Sequence, residues 1–286
     1  MLKKSKYYIE AGALYLLFTA FRLLPLDFAS AMGGWMARAI GPYLSAHKTA
    51  KENLMRVFPK LKKNEVNRII YKMWDNLGRV AAELAHIQSD EIVKRIDIKG
   101  AENFTVQGSP GFMFSGHIGN WELLSCVAQK SGRPVTGIYR GANNPIVDAM
   151  IEKIRAPRYF AMIPKGRQGA VKIARAIKNN DVIAMLVDQK MNDGISVPFF
   201  GFPAMTAPAI AELALRYDMP IIPAYAIRKK GAHFESIIFP PLEYEKTGDK
   251  EKDVQNIMIA INKMLEDWIR KYPEQWFWVH KRWPKK

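Results

Sequence analysis

The chain has 286 residues, 49% of them hydrophobic, and it carries a net charge of +16 with a pI near 9.8. This composition excludes a disordered chain, because it provides enough apolar surface for a sizeable core. The single cysteine, Cys126, excludes an internal disulfide framework and fits a reducing, cytoplasmic environment. The excess of basic over acidic residues favours an anionic partner, which could be nucleic acid, an acidic protein or an anionic membrane surface.

The first predicted element is an apolar N-terminal segment. Three lysines precede an apolar run that lies between Glu10 and Arg22, and a second stretch poor in charge follows at 28–44. A bilayer-spanning helix needs roughly 20 apolar residues, which the first run nearly reaches. An amphipathic helix of a soluble core is the alternative. We predict a membrane anchor at 1–47, spanning or interfacial, followed by a cytoplasmic domain at 48–286.

The rest of the chain has the pattern of an α/β domain. Helical periodicity predicts helices at 48–58, 64–88 and 251–271. Between them, short apolar runs predict strands at 96–99, 111–115, 135–139, 182–187, 221–227 and 234–239. Helical stretches alternate with these runs at about 120–130, 145–154, 167–179 and 206–218. The alternation predicts a mostly parallel central sheet flanked by helices, preceded by the N-terminal helical membrane-anchoring segment.

The stretch FSGHIGNWELL follows the predicted strand at 111–115 and contains two titratable groups. His117 would lie at the carboxyl end of that strand, where reactive groups of α/β sheets collect. On one regular helix, residues five apart point about 140° away from each other. A turn before the helix, capped by Asn120, could instead fold His117 back so that Glu122 accepts a hydrogen bond from one ring nitrogen. The other nitrogen would then face a substrate hydroxyl, although the spacing alone also fits a structural pair.

Five ordered boxes of sequence resemble one enzyme family. HIGNWE at 117–122 resembles the HxxxxD/E box of the glycerolipid acyltransferase superfamily and, in full, that of the late acyltransferases of bacterial lipid A biosynthesis. The supporting boxes are KENLMRVFP at 51–59, GIYRGANNP at 137–145, LVDQKMNDGISVPFFG at 186–201 and PEQWFWVHKRW at 273–283. The resemblance runs from about residue 48 to the end. Gly141 departs mildly from it, since the family often has proline there.

This resemblance implies a reaction and its participants. It implies transfer of a fatty acyl chain from an acyl carrier protein to a hydroxyl of a Kdo-modified lipid A precursor. The reaction would take place on the cytoplasmic face of the inner membrane, whose anionic lipid suits the +16 charge. His117 would be the general base and Glu122 would hold its imidazole, without a cofactor or a covalent intermediate. The other histidines are scattered and form no HExxH motif, so we expect no metal.

Five further residues are candidates for substrate binding. Arg140 follows a predicted strand and could clamp a phosphate or a sugar carboxylate. Lys165 and Arg167 precede a helix, whose N-terminus could bind phosphate. Asp188 and Gln189 end another strand and could bind a substrate hydroxyl, bind a basic group or hold Arg140. Each of these residues could instead have a purely structural role.

The tryptophan-rich C-terminus leaves the partner class open. Trp276, Trp278 and Trp283 alternate with basic residues, which could stack on nucleic acid but better fit a packed tail with basic contacts to anionic lipid. We find no nucleic-acid-binding motif and expect no nucleic-acid partner. The alternatives are an acyltransferase for another glycolipid or a lysophospholipid, a catalytically inactive lipid-binding membrane protein, and a nucleic-acid-binding module.

Overall fold

The computed structural model describes residues 2–108, 111–130, 132, 134–139, 141–159, 161–164 and 167–283. Its α-helices are α1 (Leu2–Leu23), α2 (Leu26–Ile40), α3 (Ser45–Val57), α4 (Lys63–Glu83), α5 (Asp90–Lys94), α6 (Leu124–Lys130), α7 (Pro145–Arg155), α8 (Arg167–Lys178), α9 (Ala209–Tyr217) and α10 (Lys250–Lys271). Its strands are β1 (Ile96–Lys99), β2 (Phe112–Ser115), β3 (Val135–Tyr139), β4 (Ala161–Pro164), β5 (Val182–Leu186), β6 (Lys190–Phe199), β7 (Phe202–Thr206), β8 (Ile221–Lys230) and β9 (His233–Ile238).

A mostly parallel sheet forms the centre of the molecule. Within the described residues, seven strands pair in the order β1-β9-β8-β2-β5-β3-β4. Neighbouring strands run parallel, except for the antiparallel pair β8 and β9. β6 and β7 form a separate antiparallel hairpin. The predicted α/β architecture is therefore confirmed, whereas β4 and the hairpin were not predicted.

Both faces of this sheet are covered by packed side chains. Successive residues of a strand point to opposite faces, so β2 divides its side chains between two cores. Phe112 and Phe114 join the core that contains Leu265 and Trp268 of α10, whereas Met113 joins the core beneath α6. Burial on both faces explains why β2 reads as a continuous apolar run in the sequence.

The strand order determines which loops meet at one edge of the sheet. β2 and β5 are direct neighbours, and their register pairs Ser115 with Leu186 at the carboxyl ends of both strands. The residues that follow these two strands are therefore close in space, although they lie about 70 positions apart in the sequence.

The second N-terminal helix packs very closely on α4. A Cβ atom added to Gly33 of α2 would lie 2.4 Å from the carbonyl oxygen of Gly78, and one added to Gly78 would lie 2.1 Å from the carbonyl oxygen of Gly33. The two helix backbones therefore touch at this crossing, which leaves room for glycine only.

The first N-terminal helix also contacts the α/β body. His86 places its Nε2 atom 2.8 Å from the carbonyl oxygen of Phe21, and the side-chain amide of Asn144 donates to the carbonyl oxygen of Tyr7 at 3.0 Å. No helix in the described part of the chain is both long and apolar enough to cross a membrane. The N-terminal anchor and the division of the chain at residue 47 stay predictions.

The close crossing of α2 and α4 can be tested by adding one methyl group. We expect Gly78→Ala to destabilise the protein by about 1–3 kcal/mol, because the methyl group would overlap the backbone of Gly33. The free energy of unfolding of the purified full-length chain measures this effect. Gly12→Ala in α1 is the control: its added Cβ meets nothing within 4 Å, and we expect a gain of up to about 1 kcal/mol. A Gly78→Ala variant as stable as the wild type would contradict the close packing.

Candidate active site

A tight turn after β2 presents His117. Gly119 has a φ of 63°, and a Cβ atom there would lie 2.0 Å from the carbonyl oxygen of Ala226 in β8. The backbone N–H of Asn120 donates to the same carbonyl at 2.8 Å, and the backbone N–H of Phe277 donates to the carbonyl oxygen of His117 at 3.0 Å. The turn is thus fixed between β8 and the C-terminal segment, which is why a glycine is needed at position 119.

The carboxylate of Asp188 binds His117 twice. Its Oδ1 atom lies 2.7 Å from Nδ1 of the imidazole, and its Oδ2 atom accepts the backbone N–H of His117 at 2.7 Å. The indole N–H of Trp276 donates to Oδ2 at 2.8 Å. Burial alone would raise the pKa of Asp188, but the charge of His117 and these hydrogen bonds outweigh burial and lower the pKa to about 2. Asp188 is therefore an ionised, fully hydrogen-bonded group beneath the imidazole.

This contact determines which imidazole nitrogen is available for chemistry. An ionised carboxylate only accepts hydrogen bonds, so Nδ1 carries the hydrogen and the lone pair of a neutral imidazole lies on Nε2. The Nε2 atom lies 3.4 Å from the side-chain amide nitrogen of Gln189. The side chain of His117 is 16% exposed, so a ligand can reach it. The arrangement is an oriented base of the kind that takes a proton from a hydroxyl.

Glu122 does not hold the imidazole, and the predicted hydrogen bond between Glu122 and His117 is wrong. Asn120 caps the turn as predicted, accepting the backbone N–H of Glu122 at 3.2 Å. The helical turn then directs the carboxylate of Glu122 toward α7, where Arg155 donates from Nε at 2.8 Å and from Nη2 at 2.5 Å. His117 lies before the helical turn that begins at Trp121 and Glu122 lies within it, so the two side chains point to different partners. Asp188 takes the place beside Nδ1 that the sequence predicts for Glu122.

Trp121 contacts both His117 and Glu122. Its ring meets the imidazole of His117 edge to face, with centroids 5.1 Å apart, and its indole N–H donates to Oε1 of Glu122 at 3.0 Å. The ring of Phe277 lies on the imidazole as well, with centroids 5.6 Å apart. His117 is therefore held by a carboxylate on one edge and by aromatic rings around it.

The other predicted site residues fall into two groups. Asp188 and Gln189 meet His117, as described above. Arg140 and Lys165 lie outside the described residues, and Arg167 begins α8 at a position whose side chain is not described. Across the described ranges, no three metal-binding side chains lie close enough together to hold a metal ion.

Two cavities lie near the turn that carries His117 and near the end of β5. A small cavity of about 70 Å³ is lined by Trp121, Glu122, Arg155 and Tyr159 among others. A larger one, called here the apolar cavity, encloses about 270 Å³. Its lining is Ile138, Ile173, Met185, Leu186, Val187, Met191, Ala207, Ala209, Ile210, Leu213, Arg216 and Tyr217. Since Val187 directly precedes Asp188, the apolar cavity reaches the strand end that carries the Asp188 carboxylate.

Sequence reasoning missed two residues of the site. Arg155 ends α7, where basic side chains are common because they suit the helix dipole, so nothing in the pattern distinguished it. Trp276 lies in a recognised box but was interpreted as part of a packed tail. It is buried, as are Trp278 and Trp283, which leaves none of the three exposed for base stacking. The box itself was the signal that could have placed Trp276 at the site.

Comparison with known proteins identifies the family. A family model described as bacterial lipid A biosynthesis acyltransferase matches residues 2–285. The lipid A biosynthesis lauroyltransferase of Escherichia coli K12 is 26% identical over 247 residues, covering 82% of this chain and 78% of the relative. The palmitoleoyltransferase of the same strain is 26% identical over 268 residues, covering 90% of this chain and 84% of the relative.

A distant likeness to one solved structure accompanies these matches. The 1-acyl-sn-glycerophosphate acyltransferase of Thermotoga maritima superposes with a TM-score of 0.39 at 12% identity, covering 95% of this chain and 99% of that one. Nothing about function follows from so remote a likeness. The family match spans nearly every residue and agrees with the boxes at 51–59, 117–122 and 273–283. The chain belongs to the bacterial lipid A biosynthesis acyltransferase family and is an acyltransferase.

Proposed function

We propose that this acyltransferase moves a fatty acyl chain from an acyl carrier protein to a hydroxyl of a Kdo-modified lipid A precursor. The observation that carries the proposal is the contact between Asp188 and Nδ1 of His117 at 2.7 Å, which leaves the lone pair of the neutral imidazole on Nε2. A hydroxyl has a pKa far above neutrality, so it needs a base as it attacks a thioester. A buried carboxylate that orients a partly exposed imidazole in this way has no evident use in an inactive lipid-binding protein.

The proposed reaction proceeds without a covalent intermediate. Nε2 of His117 takes the proton of the acceptor hydroxyl while its oxygen forms a bond to the thioester carbonyl carbon. The carbon–sulfur bond then breaks, and the imidazolium returns the proton to the departing thiolate. Asp188 keeps the imidazole oriented and stabilises its positive charge between these steps. The amide nitrogen of Gln189, 3.4 Å from Nε2, is a donor within reach of the oxygen that becomes negative.

Glu122 is proposed to act on His117 through Trp121. Arg155 keeps the carboxylate in place, and the carboxylate in turn accepts the indole N–H of Trp121, whose ring packs on the imidazole. The same carboxylate and guanidinium line the small cavity and give it a polar wall for the acceptor. Arg140, Lys165 and Arg167 stay proposed contacts for a phosphate or a sugar carboxylate of that acceptor, on the strength of their sequence boxes alone.

The apolar cavity is the proposed site for the acyl chain of the donor. Its lining is almost entirely aliphatic, so it favours a hydrocarbon chain over water. Leu186 and Val187 line it at the carboxyl end of β5, and the chain continues from there into Asp188, so an acyl chain bound in the cavity would begin near the strand end that carries the site. Arg216 on its lining carries a positive charge, which suits an acidic carrier protein outside.

We further propose that α1, α2 and the turn after them lie on the cytoplasmic face of the inner membrane. These helices expose large apolar side chains, including Leu23, Trp35 and Tyr43, which is 89% exposed. Arg22 lies among them, and basic residues next to apolar ones suit the interface of an anionic bilayer. An interfacial position needs no spanning helix.

The role of His117 predicts a large loss of turnover on its removal. A positioned base contributes about 10²–10⁴ in rate, so His117→Ala should lower kcat by that range. The assay is acyl transfer by the purified full-length protein from an acyl carrier protein to a lipid A precursor, with folding checked by circular dichroism. His233→Ala is the matched control, since His233 is exposed on β9, and it should keep wild-type kcat. A folded His117→Ala variant with more than about a tenth of wild-type turnover would remove the histidine from the chemistry.

The acyl site predicts a change in chain-length preference. Leu213→Trp places a larger side chain in the apolar cavity, so turnover with long acyl donors should fall several-fold more than turnover with short ones. The measurement is kcat/KM for a series of acyl carrier protein donors of increasing chain length. Glu212→Trp, on the exposed side of the same helix, is the control and should leave the series unchanged. An equal loss at every chain length in Leu213→Trp would argue against this assignment.

A further inference from the structure

One buried carboxylate takes no part in the proposed chemistry. The side chain of Glu83, at the end of α4, is fully buried. It accepts the side-chain N–H of Asn120 at 2.7 Å and the hydroxyl of Ser30 at 2.6 Å. It also forms a two-armed ion pair with Arg228 of β8, in which Nη2 donates to Oε2 at 2.8 Å and Nη1 contacts Oε1. A carboxylate buried this deeply is tolerated only because all of these donors converge on it.

Two of these contacts lead directly to the turn that carries His117. Asn120 accepts the backbone N–H of Glu122 with its Oδ1 atom while its Nδ2 atom donates to Glu83. The side chain of Asn120 thus caps the helical turn with its oxygen and is bound to Glu83 through its nitrogen. A shift of Glu83 would therefore move Asn120 and, with it, the backbone between His117 and Glu122.

The partner of Glu83 holds the same turn by a second route. Nε of Arg228 donates to Oδ1 of Asn76 at 2.9 Å, and Nδ2 of Asn76 donates to the carbonyl oxygen of Gly119 at 2.9 Å. The backbone N–H and carbonyl of Arg228 also bond the side chain of Gln275, whose own carbonyl accepts the N–H of Gly119 at 3.0 Å. The pair of Glu83 and Arg228 is therefore connected to both peptide groups of Gly119 and to Asn120.

The remaining donor comes from the N-terminal helices. Ser30 of α2 is fully buried, and its hydroxyl also accepts a hydrogen bond from Nη1 of Arg79 at 3.1 Å. The contact is rigid because α2 and α4 touch backbone to backbone one turn away, at Gly33 and Gly78. Without Ser30, Oε1 of Glu83 would lose a donor in a place that water does not reach.

We propose that Glu83 is a positioning residue for the acyl transfer, acting through Asn120 on the turn that presents His117, and that α2 is part of this device through Ser30. The inference rests on the proposed function. In this arrangement α2 helps to position the active site, in addition to its proposed contact with the membrane.

The test separates chemistry from stability in the full-length protein. Glu83→Gln keeps the shape of the side chain but replaces one acceptor oxygen with an NH₂ group. That group would face a hydrogen-bond donor, so the turn should shift. Because misplacement of a reacting group by about 1 Å can cost roughly a hundredfold in rate, we expect kcat to fall about tenfold to a hundredfold in Glu83→Gln. The KM for both substrates should stay within about twofold, since the side chain of Glu83 is fully buried and out of reach of a substrate. The milder Ser30→Ala should lower kcat about threefold to tenfold, and Ser30→Thr, which keeps the hydroxyl, should recover most of it.

A buried threonine at the opposite end of the sheet provides the matched control. Thr136 of β3 is also fully buried and donates its hydroxyl to Oδ2 of Asp181 at 2.7 Å. Both residues lie at the amino ends of β3 and β5, whereas the turn at 116–120 follows the carboxyl end of β2. Thr136→Val should lower the melting temperature about as much as Ser30→Ala while keeping wild-type kcat. The inference is wrong if folded Ser30→Ala keeps wild-type kcat, or if Thr136→Val loses as much kcat as Ser30→Ala. Should Glu83→Gln not fold, Ser30→Ala decides the question. If the wild-type protein transfers no acyl chain, the proposed function fails and this inference with it.

Discussion

The site depends on one carboxylate, Asp188, that stays ionised inside the protein. Asp188 is almost completely buried, and burying an isolated carboxylate costs several kcal/mol unless hydrogen bonds and an opposite charge compensate it. The three compensating groups come from two distant parts of the chain: the imidazole and the backbone N–H of His117 after β2, and the indole N–H of Trp276 near the C-terminus. Satisfying Asp188 therefore brings the loop after β2, the loop after β5 and the C-terminal segment together. The hydrogen bond to Asp188 explains why a tryptophan stands at position 276, within the box at 273–283.

Two more buried carboxylates near the turn from 116 to 120 are also compensated by partners from distant elements. Glu122 is paired with Arg155 of α7, and Glu83 is paired with Arg228 of β8. Each buried carboxylate receives its cation from a different element, so each pair fixes the turn to another part of the fold. Ion pairs of this kind contribute little net stability, but removing one partner is strongly destabilising. We propose that their effect here is to specify a single geometry at His117, which an oriented base requires.

The sequence predicted those parts of the fold that local patterns determine. The apolar runs at 111–115 and 182–187 correctly indicated buried parallel strands, and both His117 and Asp188 were expected at strand ends. The order of the strands is a non-local property, however, and only the neighbourhood of β2 and β5 brings Asp188 to His117. Glu122 was chosen as the partner because it is near in sequence. The β6–β7 hairpin was missed because a glycine and a proline interrupt its alternation, and Arg155 was missed because its partner cannot be inferred from spacing.

The site built on Asp188 and His117 is proposed to add an acyl chain to lipid A. Mass spectrometry of lipid A from a strain that lacks the gene, carrying either the wild-type gene or Asp188→Asn on a plasmid, tests it most directly. We expect lipid A short of one acyl chain in the deletion strain, full restoration by the wild-type gene, and little restoration by Asp188→Asn at equal protein level. Unchanged lipid A in the deletion strain, or full restoration by Asp188→Asn, would contradict it.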